Sequence, residues 1–370
     1  MIREALLVNF KCFEKKSIPL GPLTLLTGVN GAGKSSLIQA LLVLRQSHDM
    51  GLLAENRLAL NGDFVQLGRA SDALYDRAEL EDITLGLSAD GFEAYSLRVH
   101  YENGAEVLQG TAAQPLPSTL SDLALFNERL RYVSAERLGP RTSFALSEPA
   151  LRKMNVGIRG EYAAQFLAMF GDRKLTVPQL VHKGAASSSL RDQTEAWLAH
   201  VSPGVRIEAK AFPELDVVQL AFRFTRAAEV SAAFRPTNVG FGLTYTLPIL
   251  VALLSAPANS LVIIENPEAH LHPRGQVLFG ELLARAAAGG VQVLCETHSD
   301  HVLNGVRVAV AQGRLPATDA LVHFFVRSQD GTHDLISPRM LADGRLDKWP
   351  EDFFDQWDRS LEELLKLGGS

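Results

Sequence analysis

Residues 28–35 read Gly-Val-Asn-Gly-Ala-Gly-Lys-Ser, a spacing suited to holding phosphate groups. Glycines let the backbone wrap tightly, so that successive N–H groups converge on an anion at a helix N-terminus. In such a loop Lys34 reaches the β- and γ-phosphates, and the Ser35 hydroxyl ligates Mg²⁺. Asn30, Gly31, Ala32, Gly33 and Ser36 complete the expected phosphate-binding segment. The expected ligand is a nucleoside triphosphate, with ATP and Mg²⁺ as the pair that this chemistry serves.

A phosphate loop needs a carboxylate for the metal at the end of a neighbouring buried strand. Leu261-Val262-Ile263-Ile264-Glu265 supplies four apolar residues and then an acid. Asn266-Pro267-Glu268-Ala269-His270-Leu271-His272-Pro273 follows directly. A third polar group, Glu296-Thr297-His298-Ser299-Asp300-His301, follows the apolar run that ends at Cys295. Open α/β sheets bind ligands outside the carboxyl ends of their strands, where these groups fall. Glu268, His270 and His272 are also spaced to share one face of an extended segment, so a metal site there is an alternative. Arg129, Arg131, Arg137 and Arg141 form a basic cluster that either meets DNA or makes a solvated face.

The elements that must position these groups follow from periodicity. Residues 4–10 and 23–27 read as strands and 34–46 as a helix, which is the order the phosphate loop requires. Residues 83–107 alternate around Asp90-Gly91 and Asn103-Gly104, an antiparallel meander. Residues 121–129 read as helical and 131–135 as a strand; 157–200 are mostly helical; 205–224 alternate around a turn at 213–216. The apolar runs 261–264, 291–295 and 321–325, separated by helical segments, point to a parallel sheet. Residues 245–264 approach membrane-span length, but Pro248, Pro257 and Asn259 break them into a short helix and a strand. No internal repeat or long heptad stretch is evident.

The 370 residues suffice for one large or two modest domains. A net charge of -6 argues against a chain held to nucleic acid by bulk charge, while leaving room for a local basic groove. Two cysteines, Cys12 and Cys295, give no disulfide framework and suit a reducing cytosol. The N-terminus has no secretory layout, and no membrane association is expected.

Together the motifs resemble the ABC-type ATPase heads of the SMC, RecF and OLD (overcoming lysogenization defect) group. More closely, they are similar to compact bacterial AAA/ABC-like ATPases found among phage-defence genes. The matching segments are Asn9-Phe10-Lys11-Cys12-Phe13, Asn30 through Ser36, Ser134-Ala135-Glu136-Arg137-Leu138-Gly139-Pro140 and Asn238-Val239-Gly240-Phe241-Gly242. Glu265 through Pro273, Thr297-His298-Ser299-Asp300-His301 and the tail Trp349-Pro350-Glu351-Asp352-Phe353-Phe354-Asp355-Gln356 complete the set.

The resemblance implies an α/β ABC-type head with a mixed or parallel core sheet flanked by helices, an antiparallel meander and a helical insertion. It divides the chain into an N-terminal lobe (1–115), an insertion (116–235), a C-terminal lobe (236–327) and a tail (328–370). It implies a homodimer that sandwiches two ATP molecules, with Gly240, Phe241 and Gly242 at the signature position facing the partner's γ-phosphate. A plain glycine turn before a helix is the alternative there. His298 stands at the γ-phosphate-sensing switch, and Gln66 either couples Mg²⁺ to lobe movement or is a surface glutamine. Ser35, Gln66 and Glu265 are then the metal-side set. The family's water-activating glutamate is replaced by Asn266, which cannot accept a proton. Glu268, Glu296 and Asp300 are the possible substitutes, and slow intrinsic ATPase turnover is expected.

The implied role is an ATP-driven switch in phage defence or DNA repair, acting on a partner effector such as a separately encoded nuclease or toxin, with DNA contact possible. A non-hydrolysing, nucleotide-stabilised scaffold is the alternative. A transporter subunit is disfavoured, because residues 238–242 lack a Leu-Ser-Gly-Gly signature.

Overall fold

The computed structural model describes residues 1–226, 229–328, 330–351, 353–355, 360–361 and 363–366. Asp352 and Gln356 of the tail motif lie outside the described residues. In chain order the first elements are β1 (Ile2–Phe10), β2 (Phe13–Pro19), β3 (Leu23–Gly28), α1 (Lys34–Asp49), β4 (Arg57–Ala59) and α2 (Ala70–Ala73). The meander follows as β5 (Asp82–Ala89), β6 (Phe92–His100) and β7 (Val107–Ala112). Next come β8 (Leu130–Val133), β9 (Phe144–Ala145), α3 (Glu148–Arg152), α4 (Ala163–Phe170), α5 (Leu190–Leu198), β10 (Val205–Phe212), β11 (Val217–Arg226) and β12 (Glu229–Val230). The last are α6 (Phe241–Ser255), β13 (Leu261–Glu265), α7 (Pro273–Ala288), β14 (Gln292–Glu296), α8 (Asp300–Ala311), β15 (Ala320–Arg327) and β16 (His333–Ile336).

The strands form three sheets. One is antiparallel, in the order β2-β1-β5-β6-β7-β4, and takes in the expected meander. Its alternation is what makes it one-sided: Ile83, Leu85, Leu87, Tyr95, Leu97 and Val99 all turn inward and are buried. The central sheet has the order β16-β15-β3-β14-β13-β8 and is parallel except for β16. Its strands are apolar on both faces because both faces are covered. Leu23, Leu25, Val262, Ile264, Val293 and Cys295 join one core cluster, and Leu26, Leu261, Ile263 and Leu294 join the other. The third sheet is the hairpin β10–β11, extended by β9 and β12.

The first core cluster lies under α4 to α8, and the second lies between α1 and the antiparallel sheet. Helices α7 and α8 cross on a pair of glycines. A Cβ at Gly280 would meet the Val302 carbonyl at 2.1 Å, and one at Gly305 would meet that of Val277 at 2.0 Å. No helix of the described residues exceeds the 16 residues of α1 and α7, so no extended coiled-coil arm leaves them. None of them is long and apolar enough to cross a membrane; residues 245–264 resolve into the end of α6 and β13.

The expected helix at 121–129 is corrected. The segment makes only the two 3₁₀ turns Leu120–Asp122 and Ala124–Phe126. Arg45 of α1 donates through Nη1 to the carbonyls of Leu125 and Asn127, both at 2.7 Å, and so removes acceptors that an α-helix would use. Asn127 donates back to the Ser121 carbonyl, a local bond of the kind that competes with helix. The strand that follows begins at Leu130, one residue early, and ends at Val133, two residues before the expected limit.

Candidate nucleotide site

Strand β3 delivers the phosphate loop to the carboxyl edge of the central sheet, and α1 leaves it. Gly28, Gly31 and Gly33 have φ of 130°, 76° and 110°, a region that side chains disfavour. Packing adds to this at two of them. A Cβ at Gly33 would lie 2.6 Å from the Phe13 ring and 2.7 Å from Cys12 Sγ, and one at Gly28 would lie 2.3 Å from the Phe325 carbonyl. Gly31 faces open space. The sequence pattern therefore reflects both backbone conformation and close approach.

Lys34 is buried, at 3% exposure, and its Nζ donates to the carbonyls of Gly28 and Val29, each at 2.9 Å. Burial lowers its pKa, against the nearby charges of Glu296 and Glu268. A cavity of about 560 Å³ opens beside the loop and is lined by Asn30, Gly31, Gly33, Lys34, Ser35 and Ser36. Sequence reasoning did not single out Tyr75, Arg77, Arg327 and His333, which also line it. Arg327 and His333 reach it because β15 lies parallel beside β3, and His333 Nδ1 lies 3.1 Å from the Ala32 carbonyl. Lys11, inside the Asn9–Phe13 motif, lines the same cavity and donates to Gln39 Oε1 at 2.8 Å.

The acids are set by register. Strands β13 and β14 run parallel with Glu265 opposite Glu296, which places two carboxylates side by side on adjacent strands. They are not equivalent. Glu265 accepts from Tyr132 Oη and from the Ala135 N–H, each at 3.0 Å, and burial raises its pKa. Glu296 accepts from Ser35 Oγ at 2.9 and 3.1 Å. Its pKa is pushed up to about 7, first by burial and then by the charge of Glu265. The residue against the Ser35 hydroxyl is thus Glu296 and not Glu265, as the sequence order had led us to expect. Ser35, Glu296 and Glu265 present hydroxyl and carboxylate oxygens, a donor set that fits Mg²⁺. Among the described residues no three His, Cys, Asp or Glu side chains are placed to hold one ion, so a metal here would draw its remaining ligands from phosphate and water.

The turn after β13 is clamped from below. Arg137, 3% exposed, donates to the carbonyls of Ser134, Glu265 and Asn266 at 3.0, 2.7 and 2.7 Å. This arginine belongs to the core of the site, which removes it from the surface cluster considered for DNA. Asn266 sits at φ 46°, where asparagine is tolerated better than most residues, and donates its N–H to the Glu296 carbonyl at 2.9 Å. Its Oδ1 is buried without a hydrogen-bond partner.

Glu268 accepts from Thr297 Oγ1 at 2.8 Å and from the His298 N–H at 2.7 Å, tying the two loops together. His298 has its pKa lowered, first by desolvation and then by Lys34, so its imidazole is neutral at pH 7. It lines a second recess of about 450 Å³ with Gly28, Val29, Asn30, Phe354 and Asp355, where the tail reaches the loop. His270 instead packs at a tilt against Tyr245, with ring centroids 4.5 Å apart, and His272 Nδ1 accepts from the Arg274 N–H at 3.3 Å. Glu268, His270 and His272 therefore do not converge, which overturns the metal alternative.

Two expected elements stand apart from the loop. Gly240, Phe241 and Gly242 form the start of α6, and none of them lines the loop cavity. Phe241 is 54% exposed there, and a Cβ at Gly240 would meet nothing within 4 Å. Gln66 is exposed, bridges Asn61 through its backbone, and does not line the loop cavity either.

Residues 1–89 match the family described as AAA ATPase domain, and residues 162–304 match AAA domain, putative AbiEii toxin, Type IV TA system. Residues 315–364 match a family described as a protein of unknown function. An OLD nuclease from Thermus scotoductus is 22% identical over 380 aligned positions, covering 94% of this chain and 68% of that protein. Among solved structures, the SmcHead bound to the C-winged helix domain of ScpA has a TM-score of 0.53 at 16% identity, covering 92% of this chain and 98% of that one. The Smc head domain with an extended coiled coil, bound to the C-terminal domain of ScpA derived from Pyrococcus furiosus, has a TM-score of 0.51 at 15% identity, covering 98% and 99%.

Taken together, the ATPase-domain family matches, the OLD nuclease relative and the SMC-head fold make the chain similar to SMC/RecF/OLD-type P-loop ATPases. In this chain the loop strand β3 is separated from β13 by β14, so the acid opposite Ser35 comes from the interposed strand.

Proposed function

We propose that the protein is an ATP- and Mg²⁺-dependent switch whose two copies close head to head on nucleotide. The observation that carries this reading is the separation of Gly240, Phe241 and Gly242 from the chain's own loop cavity, at an exposed helix N-terminus. Such a terminus favours anions, and in a closed pair it would face the γ-phosphate held by the partner. Lys34 and the loop amides would hold the phosphates, and Ser35 with Glu296 and Glu265 would hold Mg²⁺. The ion would neutralise charge developing on the phosphoryl oxygens. The stretches 1–115 and 236–327 would act as the two lobes of each head, joined by the insertion 116–235 and followed by the tail 328–370.

Hydrolysis is inferred to be slow. Asn266 cannot take a proton from the attacking water, and Glu296, engaged with Ser35 on the metal side, is not free to replace it as base. Glu268 is held by Thr297 and His298 and would report γ-phosphate contact through them. The amide of Asn266 at the water-activating position supports a second reading, a scaffold that binds ATP without turnover. In either case closure would be read by an effector protein, such as a nuclease or toxin encoded separately, in antiviral defence or DNA repair. The families and the OLD nuclease relative support that setting.

The test uses two variants. Lys34→Ala should lose ATP binding. Gly240→Asp, which the monomer can accommodate, should bind ATP but remain monomeric by light scattering. An equimolar mixture restores one composite site per pair, so ATP-dependent dimers should reappear. Equal sizes of the unmutated protein with and without ATP would overturn the switch.

A further inference from the structure

On the edge of the central sheet opposite the phosphate loop, a further cavity of about 570 Å³ opens at the amino ends of the strands. It lies where β8 begins and α6 ends, against α4 and the start of α5. Its size falls within the range of small-molecule sites. Phe166, Phe170, Leu175 and Leu254 give it an apolar floor.

Four cations line the same cavity, Arg129, Arg131, Arg173 and Lys174, against one acid, Glu128. This concentration runs against the chain's net charge of -6. Arg131 is 3% exposed and donates through Nη1 to the carbonyls of Glu128 and Leu130, while its Nε is buried without a partner. A buried guanidinium N–H left unmatched is costly unless an acceptor reaches it. Burial lowers its pKa only to about 10, so it is cationic at pH 7. Arg173 sits over the floor, its Cζ 4.1 Å from the centre of the Phe170 ring. A guanidinium stacked on an aromatic ring offers a planar surface to a further ring.

We propose that this cavity is a second ligand site, distinct from the phosphate loop, for a small phosphate-bearing anion that carries a planar ring, the chemistry of a nucleoside monophosphate. Arg131, Arg129 and Lys174 receive the phosphate, and the Arg173–Phe170 stack receives the base. A bare acyl carboxylate would use the floor but not the stack. Leu254 and Ser255 on this cavity end the helix that begins at Gly240, so a ligand here touches the element proposed to face the partner's nucleotide.

The experiment is calorimetric titration of the full chain with its loop site saturated by Mg²⁺ and a non-hydrolysable ATP analogue. The injected probes are AMP, GMP, UMP, ribose 5-phosphate and decanoate. One equivalent of at least one nucleoside monophosphate should bind, and ribose 5-phosphate should bind at least about tenfold more weakly. The double variant Arg173→Ala, Lys174→Ala alters two exposed side chains. It should weaken the monophosphate at least about tenfold while leaving affinity for the ATP analogue and thermal unfolding unchanged. No saturable binding of any monophosphate, equal binding by the variant, displacement by the ATP analogue, or binding of decanoate alone would each overturn the proposal. Loss of ATP-driven pairing in Gly240→Asp leaves it intact, since the two sites are measured separately.

Discussion

Replacing Glu296 by Gln should stabilise the nucleotide-free protein above neutral pH and have little effect in acid. The carboxyl has an ordinary value of 4.5 and is pushed up to about 7 by burial and by Glu265 across the β13–β14 ladder. The folded state therefore holds a proton there that the unfolded chain has released, and stability declines as pH rises through this interval. Holding a proton one pH unit beyond the unfolded chain's release point is worth ~1.4 kcal/mol, so the charged form costs about 3 kcal/mol once pH exceeds 7, as an upper bound. Below about 4.5 both states are protonated and the cost vanishes. Glutamine keeps an acceptor for Ser35 Oγ and removes the charge. Urea unfolding of both proteins in EDTA, from pH 4.5 to 8.5, should give coincident midpoints in acid that diverge progressively and then hold a constant gap above pH 7. Added Mg²⁺ with ATP should close the gap, because the cation favours the ionised carboxylate. Parallel curves across the whole range, or a less stable variant at pH 8, would refute both the burial and the pairing of the two acids.

Two further substitutions probe the frame of the site. Arg137→Met should lower stability by roughly 3 kcal/mol or more, since it strips a buried donor from the carbonyls of Ser134, Glu265 and Asn266; equilibrium unfolding would reveal the loss, and a change under 1 kcal/mol would contradict the clamp. Gly31→Ala should cost about 1 kcal/mol, from its positive φ alone. Gly33→Ala should cost clearly more, because its methyl also meets Phe13 and Cys12, and comparison of the two melting curves separates conformation from contact.

The parts of the fold legible in the sequence were those fixed by local chemistry. The glycine loop, the apolar strand before Glu265 and the Asp90-Gly91 turn each state their structure within a few residues. The helix misread at 121–129 failed because its carbonyls are claimed by Arg45, a residue of α1. The site was half legible for a related reason. Glu265 and Glu296 were both visible as acids after apolar strands, but which one meets Ser35 depends on strand order, and no spacing along the chain encodes that. Arg327 and His333 reach the cavity only through the parallel pairing of β15 with β3. Arg137 looked like a member of a basic surface cluster until three buried carbonyls turned out to need it.

The position of β3 also dictates when the site can exist. Its Leu23 pairs with Val293 on one side and Ala320 on the other, whereas β1, β2, β5, β6 and β7 find one another within the first 112 residues. At a synthesis rate of ~5–20 residues per second, the loop strand emerges roughly 15–55 s before its first partner on the central sheet. During that interval Leu23, Leu25 and Leu26, all later at 0% exposure, have no sheet to join. The antiparallel sheet can thus assemble early as a platform, while nucleotide binding is acquired among the last events of folding. A chain interrupted before β14 would carry a complete phosphate-loop sequence with no strand beside it.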